Sequence, residues 1–139
     1  MTSVEFYLGA ADPLHYCCRL VRKALAQGSA LLVVASRPTL DDLDRRLWSF
    51  SMTDFLPHCT ADAPLRVQRL SPVLLAETAP DHSTAKVLIN LASEVPAGFD
   101  RFDRLLEIVA NEPTPIQLAR QRWRHYVLGG YRPVKHDIE

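Results

Sequence analysis

The sequence has few glycines, and they do not form a phosphate-binding loop. Five glycines occur among 139 residues, with neither a G-x-G-x-x-G nor a G-x-x-x-x-G-K-[ST] pattern. The first predicted strand-to-helix turn reads GAADP at 9–13, and Pro13 has no backbone N–H to donate to a phosphate. These absences exclude the usual glycine loop that binds a nucleotide pyrophosphate.

Cysteine is also scarce. Three cysteines are present, with Cys17 and Cys18 adjacent and no Cys-x-x-Cys spacing. This number and spacing exclude a disulfide framework. We expect the cysteines to serve as small buried hydrophobic residues.

Net charge and long apolar runs are absent as well. Sixteen Lys and Arg balance sixteen Asp and Glu, so any contact with DNA phosphates must be local or indirect. No run approaches the roughly 20 apolar residues of a membrane-spanning helix, and the N-terminus lacks a basic segment followed by an apolar one. The 47% apolar content can fill one core. We therefore expect a single cytoplasmic domain spanning 1–139, with no membrane association.

Catalytic patterns are missing too. The five histidines form neither H-E-x-x-H nor a spaced Cys/His cluster, which predicts no metal, no cofactor and no catalytic residues. His58 and Cys59 are adjacent, but catalytic thiol–base pairs usually assemble across a fold. The segment 81–83 (DHS) is typical of a polar turn. A small α/β enzyme using His58, Cys59 and the strand ends remains an alternative.

What the sequence does contain is an alternation of apolar runs and amphipathic segments. The predicted strands are 4–8, 30–35, 67–70, 86–92 and 105–109, and the predicted helices are 13–28, 39–49 and 115–127, with a long loop over 50–64. Asp12 and Pro13 suit the start of the first helix, and Gly28 suits its end. The alternation predicts a single-domain, Rossmann-like α/β fold: an open, mostly parallel sheet with helices on both faces, lacking a nucleotide-binding glycine loop.

The C-terminal helix carries the clearest binding pattern. On a helical wheel its apolar face comprises Ile116, Ala119, Trp123, Tyr126 and Val127, and the bordering edge comprises Gln117, Arg120 and Arg124. Arginines can donate two hydrogen bonds to one carboxylate, so this border suits an acidic peptide that ends in an apolar residue. Arg122 falls on the opposite flank, outside this predicted site. Two alternatives are a solvent-exposed arginine edge beside a packed tryptophan, and direct binding of single-stranded DNA.

Three large aromatic residues form a second candidate. Trp48 and Phe50 lie at the end of the second predicted helix, and Phe55 lies in the following loop. Exposed aromatic side chains commonly anchor protein interfaces. Alternatively, Trp48 extends the buried face formed by Leu43 and Leu47.

Several segments together resemble the chi subunit of bacterial DNA polymerase III. They are FYL at 6–8, LDRRLW at 43–48, FLPH at 55–58, VLINL at 87–91, ARQRWRHY at 119–126 and GY at 130–131. The resemblance extends along nearly the whole chain. The segments are specific as a set, although each is weak by itself.

This resemblance implies a function as well as a fold. It implies a non-catalytic adaptor of the clamp-loader complex, with a Rossmann-like sheet, a heterodimer with the psi subunit, and recognition of the acidic C-terminal tail of single-stranded-DNA-binding protein. Contact with single-stranded DNA would then be indirect. It also implies an accessory helicase that competes with psi for one surface. Arg120, Trp123 and Arg124 match the tail-binding helix, and Trp48 and Phe55 match the psi and helicase surface.

Overall fold

A computed structural model describes residues 1–50 and 56–138. In this part of the chain one sheet contains seven strands: β1 (Ser3–Ala10), β2 (Leu31–Val34), β3 (Cys59–Thr60), β4 (Val73–Ala76), β5 (Val87–Asn90), β6 (Arg104–Ala110) and β7 (Val134–Asp137). The helices are α1 (Pro13–Ala26), α2 (Arg37–Ser49), α3 (Leu65–Leu70) and α4 (Pro113–Leu128), with a 3-10 turn at Phe99–Arg101. The strand order is β3-β4-β2-β5-β6-β1-β7.

All the strand pairs among the described residues are parallel. β2 is an interior strand of the sheet, and its four apolar residues are all buried between β4 and β5. A continuous apolar strand is expected where helices or loops cover both faces of a parallel sheet. The predicted α/β class and open parallel sheet are therefore confirmed.

Each face of the sheet has its own core, because side chains alternate along a strand. Leu31 and Val33 pack with α1 and α2 on one face. Leu32 and Val34 belong to the core on the other face, which α4 covers. The predicted placement of helices on both faces is correct, and it puts α2 and α4 on opposite sides of the molecule.

The start of α1 follows its predicted signals. The Asp12 side chain caps the helix by accepting a hydrogen bond from the backbone N–H of His15 at 3.3 Å, and Pro13 is the first helical residue. Cys17 and Cys18 are buried on the inner face, as expected. Burial raises the pKa of the Cys18 thiol to about 11, so this thiol is protonated at neutral pH.

The strand predicted at 67–70 is wrong. These residues lie in α3, which has no buried residue, and the Gln68 side chain donates to the carbonyls of Ala61 and Ala63 at its start. The strand is Val73–Ala76, which follows Pro72 directly and is fully buried. Four residues do not distinguish strand from helix by period, and the prediction chose VQRL at 67–70 instead of the apolar run VLLA at 73–76.

The sequence interpretation also missed the two edge strands. β3 has two residues, and the four residues of β7 are all exposed, so neither carries a hydrophobic pattern. β7 extends the sheet by pairing with β1 alone.

The second helix, α2, begins at Arg37, two residues before its predicted start, with Ser36 as the N-cap. No helix in the described part of the chain is long and apolar enough to cross a membrane.

Candidate protein-binding surfaces

α4 presents an inner face to the sheet and an outer face to solvent. Ala119 and Tyr126 are buried, and Trp123 is half-buried with its ring centroid 5.1 Å from that of Phe6. The apolar face predicted for this helix is largely confirmed. Val127 is the exception, because it is 49% exposed in the last turn of the helix.

The outer edge of α4 carries the predicted polar residues, and with Trp123 they form what we call the α4 surface: Gln117, Arg120, Trp123 and Arg124. Gln117, Arg120 and Arg124 are all exposed. Arg120 and Arg124 are four residues apart, so their side chains project from the same side of the helix. Within residues 1–50 and 56–138 neither guanidinium has a hydrogen bond or an ion pair. The edge therefore offers two available cations beside a partly covered indole.

A buried polar network fastens α4 to the sheet. Its centre is Glu107 in β6, whose side chain is 0% exposed. Glu107 accepts hydrogen bonds from Arg122 Nε at 3.1 Å, from Tyr126 Oη at 2.5 Å and from Asn90 Nδ2 at 2.9 Å. Arg122 also donates to the carbonyl of Ser93 at 2.9 Å. One carboxylate thus links β5, β6 and α4.

The electrostatics of this network are set by burial. Loss of water raises the pKa of Glu107, while the charge of Arg122 and the three hydrogen bonds act to lower it. Burial and the neighbouring carboxylate also raise the pKa of Tyr126, which keeps its hydroxyl a donor. The two charged side chains of the network, Glu107 and Arg122, are paired with each other and hydrogen-bonded, as buried charges must be.

The wheel placed Arg122 on the flank opposite Arg120 and Arg124 and gave it no partner. In the structure this residue is only 6% exposed. A helical wheel shows only residues of the helix itself. It therefore could not show that Glu107, from β6, is a buried partner for Arg122. The sequence did contain a signal, because Asn90 and Glu107 interrupt apolar strands and lie side by side in the register of β5 and β6.

The second candidate lies on the other side of the molecule, at the end of α2. We call Trp48 and Phe50 the Trp48 surface; the predicted third member, Phe55, lies outside the described residues. Trp48 is 57% exposed, so the interpretation that it extends the buried face of Leu43 and Leu47 is wrong. Phe50 is half-buried against the α1–α2 core, with its ring 5.5 Å from that of His15.

His58 lies beneath the Trp48 ring, with the ring centroids 4.5 Å apart. Its Nδ1 is 2.6 Å from the Leu56 carbonyl oxygen, and its Nε2 is 2.9 Å from Asp44 Oδ1. Both ring nitrogens are thus engaged away from Cys59. The pairing of a thiol with its base, which the enzyme alternative requires, does not occur between these two residues. The described residues also contain no group of three or more potential metal ligands.

Two of the solved structures with similar folds are domains of a DEAD-box protein. One is the C-terminal domain of the DEAD-box protein Dbp5, with a TM-score of 0.59 and 14% identity, covering 99% of this chain and 90% of that one. A second is the Saccharomyces cerevisiae Dbp5 C-terminal domain bound to Gle1 and IP6, with a TM-score of 0.60, 12% identity and the same coverages. At these identities the likeness concerns the fold alone.

Sequence comparison identifies the family. The family model described as DNA polymerase III chi subunit, HolC, matches residues 1–133. The DNA polymerase III subunit chi of Pseudomonas aeruginosa is 38% identical over 143 residues, covering 99% of this chain and 98% of that protein. Both matches extend through α2 and α4, which carry the two candidate surfaces. The chain therefore belongs to the DNA polymerase III chi subunit family, whose members are accessory subunits of this replicative polymerase.

Proposed function

We propose that this chain is a non-catalytic adaptor of the clamp-loader complex. In this proposal the α4 surface binds the acidic C-terminal tail of single-stranded-DNA-binding protein. The Trp48 surface, together with Phe55, binds the psi subunit, and an accessory helicase competes for it. The observation that carries the proposal is the pair of exposed arginines, Arg120 and Arg124, which have no partner among the described residues and flank Trp123.

The chemistry of the α4 surface suits a tail of this kind. A peptide C-terminus provides a carboxylate, and acidic side chains provide more, so each arginine can make a charge-assisted hydrogen bond. Gln117, on the same edge, can donate an amide N–H to a backbone carbonyl. Trp123 is half-buried, and its remaining surface can pack against an apolar final residue.

The Trp48 surface suits a folded or folding partner better than a charged tail. An indole that is 57% exposed can bury substantial apolar area on association. Phe50, two residues further along the chain, is half-buried against the core. Tryptophan is among the residues that most often dominate interface energetics.

The opposite positions of α2 and α4 support an adaptor role. α2 packs on one face of the sheet and α4 on the other, so partners on the two surfaces need not collide. We therefore expect psi and the tail peptide to bind simultaneously and without strong coupling. Calorimetric titration with a synthetic acidic tail peptide, in the absence and presence of psi, tests this expectation. Mutual exclusion of the two ligands would contradict the assignment of two separate surfaces.

The same titration separates the tail from single-stranded DNA. A general single-stranded-DNA binder needs a basic groove with several stacking aromatic side chains. The α4 surface offers one half-buried indole, whose ring centroid is 5.1 Å from that of Phe6, and two exposed arginines. We expect an oligonucleotide to bind much more weakly than the tail peptide. Comparable affinities would favour direct DNA binding.

Trp48→Ala is expected to weaken psi binding by about 2 kcal/mol or more, because an interface anchor is lost. Binding of the tail peptide should not change, since Trp123 and the arginines lie across the sheet. Calorimetry with each ligand measures both effects. Leu70→Ala is the matched control, because Leu70 is 80% exposed on α3, outside the Trp48 surface. Equal weakening by both variants would show that psi does not recognise Trp48 specifically.

A further inference from the structure

The ring of His58 is enclosed between two oxygen acceptors. Its side chain is 0% exposed. Nδ1 faces the backbone carbonyl of Leu56 at 2.6 Å, and Nε2 faces Asp44 Oδ1 at 2.9 Å. Both distances are those of hydrogen bonds, so a proton lies between Nδ1 and the Leu56 oxygen and another between Nε2 and the Asp44 oxygen.

Counting these protons determines the charge of the ring. A carbonyl oxygen can only accept, so Nδ1 must carry a hydrogen. The carboxylate oxygen of Asp44 likewise only accepts, so Nε2 must carry a hydrogen as well. A ring with hydrogen on both nitrogens is an imidazolium, and the Asp44 carboxylate neutralises its charge.

Trp48 lies directly against this ring. The centroids are 4.5 Å apart and the planes are inclined by 50°. Asp44 and Trp48 are four residues apart on α2, so their side chains lie on the same side of the helix. The Asp44 carboxylate and the Trp48 indole therefore both contact the His58 ring. A cation near an indole face is attracted by the negative charge on that face. Trp48 is 57% exposed, so this attraction acts on an indole that keeps much of its surface open to solvent.

We propose that His58 is a buried imidazolium, neutralised by Asp44, that positions the indole of Trp48 on the Trp48 surface. His58 is a positioning residue, because it acts through Trp48 and is itself enclosed. Asp44 fixes the charge of the ring, and the Leu56 carbonyl fixes its orientation. The consequence for binding rests on the proposed function, since it assumes that Trp48 contacts psi.

The protonation of His58 can be measured without any partner. Two-bond ¹H–¹⁵N spectra of the full chain at pH 7 report which ring nitrogens carry hydrogen, and we expect both to do so. In Asp44→Asn the carboxylate is gone, and we expect Nε2 to lose its hydrogen. Asp41→Asn is the matched control on α2, because Asp41 pairs with Arg37 at 3.5 Å, and it should leave the spectrum unchanged. A wild-type ring with one unprotonated nitrogen overturns the proposal.

The positioning role has its own measurement. The heteronuclear NOE of the Trp48 indole N–H should fall in Asp44→Asn and in His58→Gln, and it should persist in Asp41→Asn. Affinity for purified psi should fall by about threefold to tenfold in the first two variants, the range expected for losing a cation–π contact. An indole that stays equally ordered in Asp44→Asn overturns the positioning role, even where His58→Gln fails to fold.

The binding of psi by the Trp48 surface and the ordering of Trp48 by His58 can be disproved independently. If Trp48→Ala binds psi as tightly as the wild type does, the assignment of psi to this surface is wrong. The NMR measurements on His58 and Trp48 would still decide whether the imidazolium exists and orders the indole.

Discussion

Arg122→Ala is expected to lower the free energy of unfolding by about 3–5 kcal/mol, because it leaves the Glu107 carboxylate buried without its charge partner. Arg122 Nε lies 3.1 Å from Glu107 Oε1, and neither side chain is more than 7% exposed. Urea denaturation followed by circular dichroism measures the change. Arg120→Ala, an exposed position on the same helix, should change stability by no more than about 0.5 kcal/mol.

A double variant tests whether the loss comes from the unpaired charge. Glu107→Gln combined with Arg122→Met removes both charges, and the Gln amide oxygen can still accept from the Tyr126 hydroxyl. Replacing a buried ion pair with neutral residues of similar volume is often close to neutral for stability. We expect the double variant to recover most of the stability lost in Arg122→Ala. A double variant as unstable as Arg122→Ala would show that packing, rather than charge, explains the loss.

The deficit of Arg122→Ala should also depend on pH. Burial raises the pKa of Glu107 above its ordinary value of 4.5, and Arg122 acts to lower it, so removing Arg122 raises this pKa further. A carboxyl group with a raised folded-state pKa contributes most to stability below its unfolded pKa, and this contribution is lost as pH rises through the folded value. The stability difference from wild type should therefore shrink as pH falls towards 4.5. A deficit that is constant with pH would contradict the charge explanation.

Arg120→Ala combined with Arg124→Ala is expected to weaken binding of the tail peptide by about a hundredfold. Each charge-assisted hydrogen bond contributes on the order of 1.5 kcal/mol or more, and both guanidinium groups lack partners among the described residues. Arg120→Lys should retain only part of the affinity, because an ammonium lacks the planar pair of donors. Calorimetric titration measures each variant.

The control for the tail site must be an exposed arginine away from α4, since Arg122 is buried. Arg66→Ala on α3 meets this requirement and should bind the peptide as the wild type does. Rising salt should weaken the wild type more than the double variant, because ions screen the contacts that the variant has lost. Unchanged affinity in a folded double variant would exclude this site.

The predicted features that the structure bears out are those with a local physical cause. The apolar runs of β2 and β5, the Asp12–Pro13 start of α1 and the periodic apolar face of α4 each reflect one element meeting one core. Their alternation was sufficient to predict an open parallel α/β sheet. At 67–70 (VQRL) four residues are too few for the period to separate helix from strand, and the prediction failed.

The candidate binding residues also include some whose placement follows from local spacing and some whose placement depends on tertiary packing. The sequence by itself determined that Arg120 and Arg124 share one edge of a helix beside Trp123, because helical spacing alone places them there. Only the tertiary structure decided that Arg122 is buried, since its partner Glu107 comes from a strand and is joined by Asn90 from the next strand. It likewise decided that Trp48 projects to solvent and rests on His58. Local spacing determines which side chains share a helix face, whereas burial depends on what the rest of the chain packs against that face.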